Sequence, residues 1–437
     1  MAATDATEAL AQGESHGSPA LFRRLWAAAG LANLGDGVGL IAAPLLAATL
    51  TRDPVLIGGL TATQFLPYLL LGVPAGVLVD RVERRTAMIV ANLVRAATLA
   101  GLCAGMVGGV VTIAWLYALG LLLGAAECVY DAAAEGAVPR LVSADRLDGA
   151  NARLQGTVQI ANNFVGAPLG AFLFATAAVA PFGMHAVLVV LATLLVASLP
   201  RLSSRRLAVE VGCANAGEHS GTAGRRRRLR DDVREGLGWL ARHRTLRTIA
   251  FVSAGCAFAN QLAQSTIVLF ALEVLRIPEA TFGLFAMSAA VGAVAGSTLA
   301  PTLARRFARV PVMLGAAVVE TVMLAAIGFA PGPLVAAVSF AVFAGAVGAW
   351  NVLSMSLRQQ LVPENMFGRV HGAWRALVWG ALPVGSWLGG VIAAQGGLRA
   401  PWFVGAGLYV VVVAFAVPAL RGVSRLDAAT QEATDVA

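Results

Sequence analysis

The chain carries a few ionisable residues inside its longest apolar runs, and these are the first candidates for chemistry. Asp36 stands mid-run in Asn33-Leu-Gly-Asp36-Gly-Val-Gly39, with small neighbours and no basic residue close in sequence. A charge there costs a few kcal/mol or more unless it faces protein or water, so the position reads as a proton or cationic-substrate site, or as an acid that bonds a neighbouring helix. Glu127 and Asp131 are four residues apart, which puts both on one helical face. Arg95, nine residues into the preceding run, lies about 14 Å from its start at 1.5 Å per residue. The next helix is antiparallel, and counting back along it brings Glu127 and Asp131 to a similar depth. The spacing therefore predicts an Arg95–carboxylate pair, static or functional. Asp36, Arg95, Glu127 and Asp131 form the candidate proton-coupling set. Glu320 has no partner that sequence can assign, and His185 and His371 are isolated enough to read as packing or interfacial residues.

Asn33, Gln64, Phe65, Asn162, Asn163, Asn260, Gln261, Gln264 and Asn351 are candidates to line a shared substrate cavity, although amides between helices also serve as plain hydrogen-bonding links. Trp350, Trp374 and Trp379 add apolar contact or face lipid. Cys103, Cys128, Cys213 and Cys256 are far apart and show neither a metal-ligand spacing nor a disulfide framework. All 32 basic residues are Arg, so a phosphate-binding loop with its Lys is absent, and no nucleophile sits with a base at mid-membrane. No cofactor, metal site or enzymatic centre is expected.

What must position these residues follows from composition. Of 437 residues, 58% are hydrophobic and 13% charged, and mean hydropathy is +0.75. A soluble domain is about 45–50% apolar and about 25% charged. Apolar runs fall near 22–49, 55–79, 86–107, 110–136, 152–176, 182–200, 247–273, 281–303, 311–330, 333–356, 371–394 and 400–420. Twelve membrane-crossing helices of about 20 residues account for that pattern. The net charge of +8 sits between the runs, as topology signals do, and not on a nucleic-acid-binding face. With a cytoplasmic N-terminus, 27 Arg fall inside, Arg52, Arg276 and Arg399 outside, and Arg95 and Arg375 within spans. The positive-inside rule then puts both termini in the cytoplasm. Five regions are expected: a disordered N-terminus (1–20), a six-helix bundle (21–200), a cytoplasmic linker (201–246), a second bundle (247–421) and a tail (422–437). Within the linker, Leu229 to Leu240 repeats apolar residues every three or four positions, as a surface-lying or solvated helix would.

The halves resemble each other at an offset of 224: Arg23 meets Arg247, Pro54 meets Pro278, Gly59 meets Gly283, Gly72 meets Gly296, and Arg85 meets Arg309. Parallel six-span repeats of this kind surround a central site. The turn after the second run reads Gly76-Val-Leu-Val-Asp80-Arg81-Val-Glu83-Arg84-Arg85, which resembles the G-x-L-x-D-R-x-x-R-R loop of the major facilitator superfamily. In the second half Ala304 replaces the Asp. Val138 to Asn151 and Leu361 to Val370 look like the exporters of siderophores, macrolides and drugs within that superfamily, and Asn163-Phe-Val-Gly166-Ala-Pro168-Leu-Gly170 resembles a loosened antiporter motif. The Arg that the superfamily often carries in the fourth span is missing here.

That resemblance implies an all-α membrane protein of twelve helices in two repeats. It implies a secondary exporter of amphipathic small molecules, with protons as partners and the bacterial inner membrane as location, acting as a monomer. An importer or uniporter of the same fold is the alternative in direction. The resemblance also assigns Gly76, Asp80, Arg81, Arg84 and Arg85 to a gate: Asp80 at a helix N-terminus of the opposite half, and Arg84 with a fourth-span carboxylate.

Overall fold

The structure, a computed structural model, describes residues 19–79, 82–142, 146–200, 235 and 238–435. Its regular elements are helices, and among the described residues there is no strand. We number the spans α1 to α12. The first half comprises α1 (Pro19–Leu50), α2 (Pro54–Val79), α3 (Arg84–Val107), α4 (Ile113–Leu141), α5 and α6 (Ala180–Ala197). α5 runs through Leu147–Gln159, a π-helical turn at Ile160–Gly166, and Ala167–Thr176. In the second half α7 is Arg244–Gln264 followed, after a break, by Ile267–Leu269 and the π-helical Phe270–Val274. The remaining spans are α8 (Glu279–Phe307), α9 (Arg309–Phe329), α10 (Pro333–Leu361), α11 (Glu364–Gly396) and α12 (Ala400–Asp435). Eleven are long and apolar enough to cross a membrane singly, and α7 becomes the twelfth as a pair bent by 44°.

Three expectations are corrected. α7 is broken at Ser265–Thr266 instead of continuous over 247–273. The break frees the Ser265 carbonyl, which accepts the Thr61 hydroxyl of α2 at 3.3 Å, so a neighbouring span satisfies the lost backbone bond. α5 starts near Leu147 and widens before Pro168, where the missing proline N–H removes a regular helical bond; the Ala167 N–H reaches back to the Asn162 carbonyl instead. α12 stays helical to Asp435, well past the expected end near 420. The linker up to residue 234 lies outside the described residues; its end, 238–242, is helical, with Leu240 buried and Trp239 stacked on His243 at 5.3 Å.

The repeat seen in sequence is a repeat of packing. In the first bundle α1 lies on α5 and α6, α3 on α4 and α6, and α2 on α4. In the second, α7 lies on α11 and α12, α9 on α10 and α12, and α8 on α10, the same pattern six spans later. The bundles meet along α2–α11 and α5–α8. One apolar core is continuous between halves at the end away from the termini, where Ile57 and Leu60 share it with Val268, Leu269 and Phe282. Toward the termini the first bundle keeps a core of its own, around Phe22, Leu25, Met88, Val138 and Val196. Arg52 and Glu273 pair at 3.2 Å across the joined end.

Close helix contact inside the second bundle rests on small residues. A Cβ on Gly292 or Gly296 of α8 would overlap the Ala341 or Gly345 carbonyl of α10, and one on Gly348 would sit 2.6 Å from the Ala293 carbonyl. This is small-residue packing, which lets backbones approach in the absence of a hydrophobic force between helices. Gly296→Leu should therefore cost about 1–3 kcal/mol by overpacking, read as a lower melting temperature of the purified protein. Gly315→Leu, where a side chain meets open space, should leave it unchanged.

Candidate functional site

Asp36 is not a lone acid. Arg95 of α3 donates from Nη2 to Asp36 Oδ1, and His185 Nε2 of α6 lies 3.1 Å from the same oxygen. The two donors are themselves 3.4 Å apart, and Arg95 is 1% exposed. The expected pairing of Arg95 with a fourth-span acid is thus replaced by a pair with Asp36, and His185, read as packing, completes the cluster. Arg95 also reaches Asn92 Oδ1 at 3.4 Å and has the Tyr130 ring 5.9 Å from its guanidinium carbon. Removing either partner of a buried ion pair leaves an uncompensated charge.

The glycines flanking Asp36 make this arrangement possible. Gly35 and Gly39 share a face, and a Cβ on either would run into the His185 ring. On another face Gly37 presses against the Asn162 backbone in the π-turn of α5. The imidazole therefore lies in a groove cut by two missing side chains. Its Nε2 must carry hydrogen to bond the carboxylate, and its buried Nδ1 has no hydrogen-bond partner among the described residues. The spacing of Gly35 and Gly39 was the sequence signal that a ring from another span fits there.

Asp36, with 17% of its side chain exposed, faces a cavity of about 350 Å³ within the first bundle. Gln64, Phe65, Glu127 and Asn162 line it, as do Arg95, His185, Tyr68 and, from the opposite half, Trp379. Leu60, Leu99, Leu116 and Leu123 make much of the remaining wall. The Tyr68 hydroxyl bonds Glu127 and lies 3.5 Å from Asp131 Oδ2, while its ring meets Trp379 at 5.4 Å between centroids. Asn33 does not itself line the cavity but accepts from Asn162 Nδ2 at 3.3 Å.

The other amides go elsewhere. Asn163 bonds Gln159 at 2.8 Å and borders a separate opening toward α8. Gln264 donates to Asn260 on its own helix, Gln261 is half-buried beside them, and Asn351 is exposed on α10. None of these last four lines the cavity with Asp36. The expected cavity shared by amides of both halves is therefore a site of the first bundle, because residues four apart on α7 satisfy one another.

Of the gate residues, Asp80 and Arg81 lie outside the described residues, and Gly76 is in the last turns of α2. Arg84 donates to the Gly136 carbonyl of α4, and Arg85 to the Ala197 carbonyl at the end of α6 at 2.6 Å. Arg24 reaches the next carbonyl, Ser198, at 3.1 Å. A cation at a helix C-terminus is favoured there by the helix dipole.

Glu320 also has a partner. It is buried in α9 with a hydrogen bond from Tyr409 of α12 and with Cys256 of α7 beside it, while Oε1 has no hydrogen-bond partner among the described residues. α7, α9 and α12 are the repeat counterparts of α1, α3 and α6, which carry Asp36, Arg95 and His185. Among the described residues no group of His, Cys, Asp and Glu could hold a metal ion.

Twelve membrane spans in two repeated bundles, joined at one end, with an ionic cluster beside an apolar cavity, define a multi-pass transport protein. The model of the Major Facilitator Superfamily matches residues 25–383, and the chain belongs to that family, whose work is transport and not catalysis. It is 28% identical over 375 residues to an uncharacterized MFS-type transporter of Mycobacterium tuberculosis, covering 82% of this chain and 81% of that one. It is 22% identical over 427 residues to macrolide efflux protein A of Streptococcus pyogenes, covering 93% and 97%. The crystal structure of a bacterial homologue of the iron transporter ferroportin, in an inward-facing state, matches with a TM-score of 0.70 at 14% identity over 93% of this chain and 100% of that one, a likeness of fold.

Breaking the Asp36–Arg95 pair on one side should be worse than removing it whole. Arg95→Met should cost about 3–5 kcal/mol, whereas Asp36→Leu with Arg95→Met should recover much of that loss. Thermal unfolding of the purified variants checks this, and equal stability of the single and double variants would count against a charged pair.

Proposed function

We propose that the protein is a secondary active exporter of amphipathic small molecules, of the antibiotic, drug or siderophore class, driven by proton antiport. It sits in the bacterial inner membrane with both termini in the cytoplasm, as the asymmetry of arginines favours. The observation that carries the reading is the cavity of the first bundle, where two acids, Asp36 and Glu127, meet an arginine and a histidine against an apolar wall. Ionisable groups at membrane depth mark ion pathways and proton relays. The likeness to macrolide efflux protein A supports export over import. Two bundles joined at the end away from the termini suit alternating access by rocking, with this state open toward the cytoplasm.

In everted membrane vesicles an imposed inside-acid gradient should drive uphill accumulation of a transported antibiotic or siderophore. Asp36→Asn and Glu127→Gln should abolish the uphill component while membrane insertion stays normal. Accumulation that ignores the gradient would overturn the antiport. The gate is tested separately. Asp80→Ala should shift the balance toward the inward-open state by about 1 kcal/mol, roughly fivefold, if one helix-terminus contact is lost. Ala304→Asp should not restore it. Cysteine labelling at paired cytoplasmic and external positions reports the balance, and unchanged accessibility would leave the turn a topological role only.

A further inference from the structure

The two acids that line the cavity do not stand alike. Asp36 is matched by Arg95, and His185 Nε2 donates to the same carboxylate oxygen. Glu127 lines the same cavity, yet among the described residues no arginine or histidine comes within ion-pair distance of it. Its hydrogen bond comes from the neutral Tyr68 hydroxyl. Arg95 is the only arginine in the described lining, and Asp36 already engages both it and His185. Glu127 is therefore the acid of the described lining without an ion-pair partner of its own, with the aromatic rings of Phe65, Tyr68 and Trp379 on the same cavity. A charge-assisted bond to a carboxylate and the faces of aromatic rings are both features that favour an organic cation. An anion would meet no free arginine in the described lining itself; Arg375 lies just outside it, its guanidinium carbon 5.1 Å from the centroid of the Trp379 ring, which leaves the faces of Phe65 and Tyr68 for a ligand. The volume, about 350 Å³, lies at the small end of the range for small-molecule sites, about 300–1,000 Å³.

We propose that this cavity selects compact organic cations bearing a single positive charge beside an aromatic or branched apolar group, with Glu127 as the counter-ion. The inference rests on the transport reading for taking this cavity as the substrate site. Its test is binding, which does not depend on a proton gradient. Wild-type protein in lipid nanodiscs is titrated calorimetrically with benzyltrimethylammonium, with neopentylbenzene, its uncharged isostere with carbon in place of nitrogen, and with benzenesulfonate. The cation should bind at least tenfold more tightly than the isostere, and the sulfonate should not bind. Glu127→Gln should erase the preference for charge, Trp379→Ala should weaken both the cation and the isostere, and Glu320→Gln, away from the cavity, should keep wild-type affinities. Equal affinity for cation and isostere, no binding of the cation to wild-type protein, or an undiminished preference in Glu127→Gln would overturn the assignment. If the cation fails to bind while vesicles still show gradient-driven efflux of another compound, the substrate class falls and the antiport stands. If the cation binds with the stated preference and no gradient-driven transport is found, the binding class stands and the antiport falls.

Discussion

Burying a charge inside a membrane protein requires a partner in the same protein, and the Asp36–Arg95 pair is where this chain meets that requirement most directly. Three helices are committed by it. α1 supplies the acid, α3 the guanidinium and α6 the imidazole. Lipid tails give helices no hydrophobic reason to associate, so polar contacts and close packing must set their positions. Here both act at one place: Gly35 and Gly39 admit His185, and Gly37 between them brings α1 against α5. A larger residue at 35 or 39 would displace the ring, and with it the second donor to Asp36.

The internal repeat preserves packing and lets chemistry diverge. The positions that hold acid, arginine and histidine in the first bundle correspond to spans holding cysteine, glutamate and tyrosine in the second. Both clusters are buried polar knots between the same three helices of their bundles. Only the first adjoins the cavity, because the described lining comes from the first bundle except for Trp379. The site is thus eccentric, lodged in one half of a pseudo-symmetric molecule.

Much of this was legible in the sequence, and the physical reasons mark where reading stopped. Spans were legible because hydrocarbon thickness fixes their length, and Asp36 because a charge in such a run is an anomaly. The partner of Arg95 was not. Depth counting compares helices adjacent in sequence, α3 with α4, whereas Arg95 turns toward α1 and α6. His185 looked isolated for the same reason. The break in α7 left little trace, since Ser265 and Thr266 are ordinary in apolar helices, but Pro168 did foreshadow the irregular turn of α5. Amides on α7 were misjudged because Asn260 and Gln264, four apart, satisfy each other before any cavity is considered.

The location of the ion pair bears on how the proposed rocking would work. Asp36, Arg95 and His185 all belong to one bundle, so a rigid rotation of that bundle against the other leaves their contacts intact. A motion that had to part them would strand a charge at membrane depth at each cycle, at a cost of several kcal/mol. Glu127 is placed differently. Its hydrogen-bonding neighbour Tyr68 packs against Trp379 of the other bundle, so the surroundings of Glu127 change whenever α2 and α11 shift past one another. On the proposed reading a fixed pair anchors the first bundle, and the acid beside it is the group whose environment a rocking motion would alter. That division suits a transporter in which one carboxylate senses the state of the cleft while its neighbour holds the wall together.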